Sequence, residues 1–211
     1  DELAEIVDKY GDERRTEIIP ATGDVTDEDL IARENVVVTI TSTGYAKRTK
    51  VDSYKAQKRG GKGVRGAELK QDDIVKNFFV CSTHDWILFF TNFGRVYRLK
   101  AYELPEAGRA ARGQHVANLL EFQPEEKITQ VIQIQSYEDA PYLVLATQQG
   151  RVKKSRLTDY ESARSAGLIA INLNEGDALI GAQLVSEGDD ILLTSEQGQA
   201  CLLYTSDAAD E

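Results

Sequence analysis

Four segments of the 211-residue sequence align on one another: VVVTITSTGYAKRTKVDSY, WILFFTNFGRVYRLKAYEL, YLVLATQQGRVKKSRLTDY and DILLTSEQGQACLLYTSDA. Each is an apolar, β-rich run, then Thr or Ser, two variable residues, a glycine and an alternating stretch. The hydroxyls are Thr41, Thr91, Thr147 and Ser195; the glycines are Gly44, Gly94, Gly150 and Gly198, spaced 50, 56 and 48 residues apart. A buried strand, a turn whose glycine takes a positive φ, and a return strand together satisfy this pattern as a β-hairpin. A second echo follows the hairpins: RGQHVANLLEFQPEEKI matches AGLIAINLNEGDALI, with Asn118-Leu119 falling on Asn172-Leu173. Each unit is therefore about four short strands. A period near 50 with four strands per unit predicts a mostly β, propeller-like array of four-stranded blades. Residues 36–40, 86–90, 142–146 and 191–194 are the expected equivalent inner strands, apolar almost throughout as strands covered on both faces are.

Ahead of the repeats, DELAEIVDKY places Leu3, Ile6, Val7 and Tyr10 on one helical stripe, with Gly11 as a stop. The next two dozen residues mix charge with Pro20 and Gly23 and read as a connector. No apolar run approaches the ~20 residues of a membrane helix. The sequence has no methionine, a starter included, so it is expected to be a piece of a longer chain. Cys81 and Cys201 lie far apart, and His84 and His115 stand outside any cluster at metal-ligand spacing, so neither a metal site nor a disulfide framework is predicted.

The formal net charge is −10, but it is unevenly spread. Residues 1–34 carry twelve acids and four bases; residues 45–65 carry eight bases and one acid. Exposed charges are screened beyond ~8–10 Å, so the local field and not the total decides what binds. The most concentrated basic stretch is QKRGGKG: Gln57, Lys58, Arg59, Gly60, Gly61, Lys62 and Gly63. Gly61, Gly63 and Gly66 imitate a dinucleotide fingerprint, with Asp85 at the expected remove. However, YKAQKR before them is no buried strand, and only seven residues separate Gly66 from the next apolar run. A βαβ crossover needs at least ~10–12 residues. The loop instead suits a phosphate grip: glycines let the backbone approach, and Lys58, Arg59 and Lys62 supply charge. No base-reading helix accompanies it, so the contacts should be independent of sequence and steeply salt-dependent.

Further cations recur at matching places in the units: Lys47-Arg48, Arg98 and Lys153-Lys154 just past the turn glycines, then Arg109, Arg112 and Arg164, with Arg65 beside the glycine-rich loop. Any one of these is more simply a solvated surface residue. Recurrence at one blade position predicts a shared basic rim.

Set just after the GYAKR hairpin, QKRGGKG resembles the gyrase box of the DNA gyrase A subunit family, whose usual form is Q-R-R-G-G-K-G. Lys58 stands where the family has arginine, keeping the charge and losing the bidentate fork. EIVDKYGDERRTEI resembles the end of that family's cleavage core, and EDLIARENVVVTIT the entry to its C-terminal domain. TNFGRVYRLKAYELPEAGRAARGQ and LATQQGRVKKSRLTDY resemble successive blades. The resemblance covers residues 1 to about 200. It implies a β-pinwheel, a six-bladed propeller variant whose blades exchange strands, present here as three blades and part of a fourth. The implied organisation is a short helical end of the core (1–18), a linker (19–33), the partial pinwheel (34–200) and an atypical, non-native tail (201–211).

The resemblance further implies sequence-independent wrapping of double-stranded DNA around the rim, enabling ATP-dependent negative supercoiling. The implied setting is an A2B2 heterotetramer with the gyrase B subunit, with A-subunit dimerisation through upstream regions, in the cytoplasm at the nucleoid and away from any membrane. ATP and Mg would be used through other domains. This stretch would hold no catalytic residue, cofactor or metal. Two rival readings are the matching domain of a topoisomerase IV A subunit, which lacks a proper box, and a propeller-type protein-interaction module. The tail departs from the repeat: residues 186–211 hold seven acids and no Lys or Arg. Stopping short of closure, the array is expected to leave edge strands unpaired near Val36 and Leu193 and to self-associate.

Overall fold

The computed structural model describes residues 2–11, 27–54, 73–162 and 166–204. The chain divides into two compact units, Asp1–Leu30 and Ile31–Glu211. In the first, helix α1 (Glu2–Tyr10) has Glu2 and Glu5 in its first turn and Lys9 in its last, which suits the helix dipole. The N–H of Gly11 closes the final turn on the Val7 carbonyl at 2.8 Å. Leu3, Ile6, Val7 and Tyr10 form the expected stripe and are exposed. One turn of 3-10 helix, Asp27–Leu30, follows. No helix among the described residues is long and apolar enough to cross a membrane.

The second unit is built from the four hairpins. They are β1 (Asn35–Thr41) with β2 (Tyr45–Lys50), β4 (Trp86–Thr91) with β5 (Arg95–Lys100), β8 (Tyr142–Thr147) with β9 (Val152–Arg156), and β12 (Asp190–Thr194) with β13 (Ala200–Tyr204). Three longer strands, β3 (Val75–Ser82), β7 (Ile128–Ile134) and β11 (Leu179–Val185), and two short ones, β6 (Gln114–His115) and β10 (Leu168–Ile169), complete the set. The recurring turn has a chemical cause. Each glycine N–H donates to the carbonyl of the Thr or Ser three residues earlier, at 3.0 Å in all four hairpins. The glycines sit at φ 87°, 69°, 85° and 82°, a region that side chains resist. In the first, third and fourth hairpins the Thr or Ser hydroxyl accepts the N–H of the residue after the glycine at 3.1 Å. The Thr/Ser-x-x-Gly signature is a turn whose first side chain also bonds its exit.

Sheet order shows how the blades interlock. The first two sheets run β3-β1-β2-β6 and β10-β5-β4-β7, the third β11-β8-β9, and the fourth β12-β13. The long strand after each of the first three hairpins pairs with that hairpin's first strand. The short strand comes from the following unit and pairs with the second: Tyr45 with His115, and Val96 with Leu168. Each exchanged strand is preceded by a glycine at positive φ, Gly113 and Gly167. A Cβ there would lie 2.4 Å from the Ala46 carbonyl oxygen or 2.6 Å from the Tyr97 ring. The blades thus exchange strands, and the sheets do not close into a ring.

Pleat alternation explains the unbroken apolar runs. Ile87 and Phe89 of β4 pack toward Val36, Val38 and Ile40 of the first blade. Leu88 and Phe90, on the opposite face, pack toward Leu143 and Leu145 of the third. Two expectations need correction. Val36 is not at an edge: β1 lies between β2 and β3, with Val36 facing Lys50 on one side and Cys81 on the other. Nor does the repeat end at residue 200, because Ala200–Tyr204 is the return strand β13, in register with β12. Residues 205–211 lie outside the described set. β12 pairs with β13 alone among the described strands, and Leu192 is 63 % exposed.

Candidate nucleic-acid interface

Strand pairing sorts the recurring cations by face. Counting from each turn glycine, the third residue is Lys47, Tyr97, Lys153 or Cys201; the fourth is Arg48, Arg98, Lys154 or Leu202. Neighbours on a strand point to opposite faces, so Lys47-Arg48 and Lys153-Lys154 are not pairs in space.

Lys47 is 1 % exposed. Its Nζ donates to the carbonyls of Gly108, Arg109 and Ala111 at 3.2, 2.6 and 2.7 Å. A buried ammonium needs such partners, and burial lowers its pKa. Of the cations expected on the rim, Lys47 is thus placed inside. Arg48 is partly covered, with Nε donating to the Leu104 carbonyl at 2.8 Å and an amino group paired to Glu106 at 3.1 Å. Lys50, two residues on, lies 3.4 Å from Glu34.

In the second blade the cations are braced on aromatics. The Arg98 guanidinium lies 4.3 Å and the Lys100 ammonium 4.1 Å from the Trp86 ring centre. Arg98 also donates to the Tyr137 hydroxyl at 3.3 Å. Burial raises the Tyr137 phenol's pKa, and the Arg98 contact opposes the rise. In the third blade Lys154 stands 4.1 Å over Tyr142, while Lys153 turns to the other face and donates to the Ala170 carbonyl at 2.8 Å. Arg109 and Arg112 rest on Tyr54 and Tyr45, at 5.8 and 3.4 Å. Each such contact contributes ~0.5–1 kcal/mol at exposed sites. The glycine-rich loop, Gln57 to Gly63, lies outside the described residues, as do Arg65 and Arg164.

An open groove of about 590 Å³ is lined by Tyr142, Lys153, Lys154, Ser155, Arg156 and Asp159. It lies along β9, on whose counterparts in the first two blades β6 and β10 pair. Among the described residues no group of three His, Cys, Asp or Glu side chains could hold a metal ion.

Sequence reading missed two sets of residues. One is the aromatic bracing: Trp86 and Tyr142 occupy the same blade position, which the alignment of the repeats displays. The other is a carboxylate two residues before the strand that flanks each of the first three hairpins. Asp73 accepts from the Ser42 hydroxyl at 3.0 Å and from the Thr43 N–H and hydroxyl at 3.1 and 2.7 Å. Glu126 accepts from Thr91 Oγ1 at 2.5 Å, Tyr97 OH at 2.8 Å and the Gln123 N–H at 2.7 Å. Asp177 accepts the Gln149 N–H at 2.9 Å. Desolvation would raise the Asp73 pKa, but its bonds from Thr43, Thr41 and Ser42 outweigh that and hold it at about 2. Tyr97 is pushed up to about 12 by burial first and by its bond to Glu126 second. These carboxylates fasten the turns that aim the return strands, and so set where the rim cations emerge.

Strand-exchanged blades carrying braced cations define a propeller of the kind that presents a charged rim. The sequence profile described as DNA gyrase C-terminal domain, beta-propeller, matches residues 35–82, 85–135 and 141–186, and the chain belongs to that family. It is 72 % identical over 209 residues to the DNA gyrase A subunit of Mycolicibacterium smegmatis, covering 99 % of this chain and 25 % of that protein. Among solved structures, the C-terminal domain of DNA topoisomerase IV matches at TM-score 0.70 and 32 % identity, covering 82 % of this chain and 52 % of the other. The DNA gyrase A C-terminal domain matches at TM-score 0.62 and 29 % identity, covering 82 % and 56 %. The chain thus spans about a quarter of the length of the curated relative it matches.

Proposed function

We propose that this chain is the DNA-wrapping part of a gyrase A subunit. It binds duplex DNA through phosphates, without reading bases, and bends it around the rim. The wrap gives strand passage by the rest of the enzyme a direction, so that ATP-driven passage adds negative supercoils. The B subunit, the A2B2 assembly, the use of ATP and Mg in other domains, and a place at the nucleoid belong to the same proposal. The observation that carries it is recurrence: Arg98 and Lys154 fall at one blade position, each resting on the aromatic that opens its own hairpin. Surface cations placed for solubility alone have no reason to repeat their brace.

The glycine-rich loop from Gln57 to Gly63 is proposed to seize the DNA where the wrap begins. The test is to replace those seven residues with alanine in the full-length protein, assembled with its partner. Supercoiling of relaxed plasmid should be lost while decatenation of linked circles persists. Supercoiling at the unaltered rate, or both activities falling together, refutes the loop's role. The likeness to the topoisomerase IV domain supports a second reading, decatenation without wrapping. An unaltered enzyme that decatenates but never supercoils would establish that reading instead.

A further inference from the structure

Residues 105–113 form a strap along the outer edge of β2, and the exchanged strand β6 continues it. The Arg48 N–H donates to the Pro105 carbonyl at 3.0 Å, and the Ala107 N–H returns to the Arg48 carbonyl at 3.0 Å. The Thr49 hydroxyl donates to the Ala107 carbonyl at 2.9 Å. Beneath the strap sits Lys47, whose ammonium has three N–H groups, met by three strap carbonyls. The strap's single acid, Glu106, is paired with Arg48. Among the described residues that leaves Arg109 and Arg112 as strap charges with no ion pair, separated by alanines and flanked by Gly108 and Gly113. Arg112 lies 3.4 Å over Tyr45, and that ring is itself held edge-on by His115 at 5.2 Å. Arg109 gives one N–H to the Ser53 carbonyl at 3.2 Å. Stacking occupies a guanidinium's face and leaves the in-plane terminal amino groups for a phosphate, although the Arg112 Nε is itself buried. Small neighbours let a phosphate backbone approach.

We propose that the strap is a phosphate-binding surface for duplex DNA, with Arg109 and Arg112 as the contacting residues and Lys47 as the positioning residue that holds them from within. The inference rests on the wrapping reading and sharpens it. The sequence places Lys47 among the DNA-facing cations; the structure makes it an internal anchor serving two others. The strap follows the second hairpin in sequence but is mounted on the first blade, so strand exchange is what delivers its charges to that blade.

The test uses a mixed-sequence linear duplex and the full-length protein, with affinity measured across salt. The R109Q/R112Q variant removes two phosphate contacts, so its log–log slope should be shallower by about 1.8, each contact being worth ~0.9. K47M should weaken binding alone yet flatten the slope no further when added to R109Q/R112Q. An unchanged slope in R109Q/R112Q, or a further loss of about 0.9 from K47M in that background, overturns the proposal. Because K47M risks misfolding, amine acylation of the unaltered protein gives a second readout. Lys47 should stay unreactive with and without DNA; reactivity that DNA suppresses would make it a direct contact and overturn its anchoring role. An unaltered protein that binds no duplex in a salt-dependent way defeats the wrapping reading itself. Binding with an unchanged variant slope defeats only the strap.

Discussion

Replacing Glu126 with alanine should destabilise the second blade far more than replacement of its half-buried counterpart Asp177, one of whose carboxylate oxygens has no hydrogen-bond partner among the described residues, destabilises the third. Glu126 is 8 % exposed and accepts three hydrogen bonds, at 2.5, 2.7 and 2.8 Å. Bonds to a charged acceptor contribute about 1.5–3 kcal/mol each, and a buried donor left without a partner costs about 1–3. Part of the loss is recovered locally. Tyr97 OH has the Glu121 carbonyl at 3.3 Å, and Thr91 Oγ1 has the Arg95 carbonyl at 3.5 Å. The expected net cost is about 3–5 kcal/mol, a large share of a typical domain stability of ~5–15. At ~2–4 °C per kcal/mol for a domain of this size, the melting temperature should fall by roughly 10 °C. Urea titration followed by tryptophan fluorescence is a suitable assay, because the chain's one tryptophan, Trp86, lies on the same blade. Asp177→Ala serves as the control at the equivalent position. A Glu126→Ala cost below about 1 kcal/mol, or an equal cost for Asp177→Ala, would refute the claim that the buried turn carboxylate organises its blade.

The other expectations are simpler. Asp73 has its folded pKa held at about 2, below the unfolded value near 4, so its stabilisation is present above pH ~4 and lost as pH falls toward 2. Asp73→Asn should therefore narrow its stability gap from the unaltered chain between pH 5 and pH 2.5, and a gap constant across that range would count against the assignment. Phe89→Ala empties a fully buried position between the first two blades and should cost about 3–5 kcal/mol, read by the same urea titration. Leu192 and Leu202 face each other across β12 and β13 and are both exposed, so the isolated chain should self-associate and L192K/L202K should suppress this. A concentration-independent sedimentation coefficient before substitution would defeat that expectation.

The hairpins were legible because their determinants are local. A Thr or Ser, a glycine three residues on, and an apolar run suffice to fix turn, register and return strand. Strand exchange was less legible. β6 and β10 are two residues long, and their partners lie tens of residues upstream, so a matched Asn-Leu echo signals recurrence without naming the strand it pairs with. Glu126 and Asp73 read as ordinary loop acids, since nothing nearby in sequence reveals that a distant turn will close over them. Lys47 misled for a related reason. Beside Arg48 it looks like half of a basic pair, but the pleat sends the two apart, and only the strap from the next unit decides which one is covered.

The same slot in each blade therefore does one structural job with different chemistry. The third residue after the turn glycine faces the preceding blade's side. There Lys47 meets three carbonyls, Lys153 meets the Ala170 carbonyl, and Tyr97 meets Glu126 while its ring closes on Gly167. The fourth residue faces the other way, and Arg98 and Lys154 there rest on Trp86 and Tyr142. In the first slot Lys47 lies beneath the strap that the following unit lends, Tyr97 between Glu126 of its own unit and Gly167 of the next, and Lys153 against Ala170 of its own, so the slot selects whatever donors the facing carbonyls or carboxylate require. The second lies beside the hairpin's opening aromatic, which holds a cation without neutralising it. A count of basic residues overstates the charge that such a rim presents. Parity along the return strand corrects the count, by separating cations that bond blade carbonyls from cations that rest on an aromatic ring.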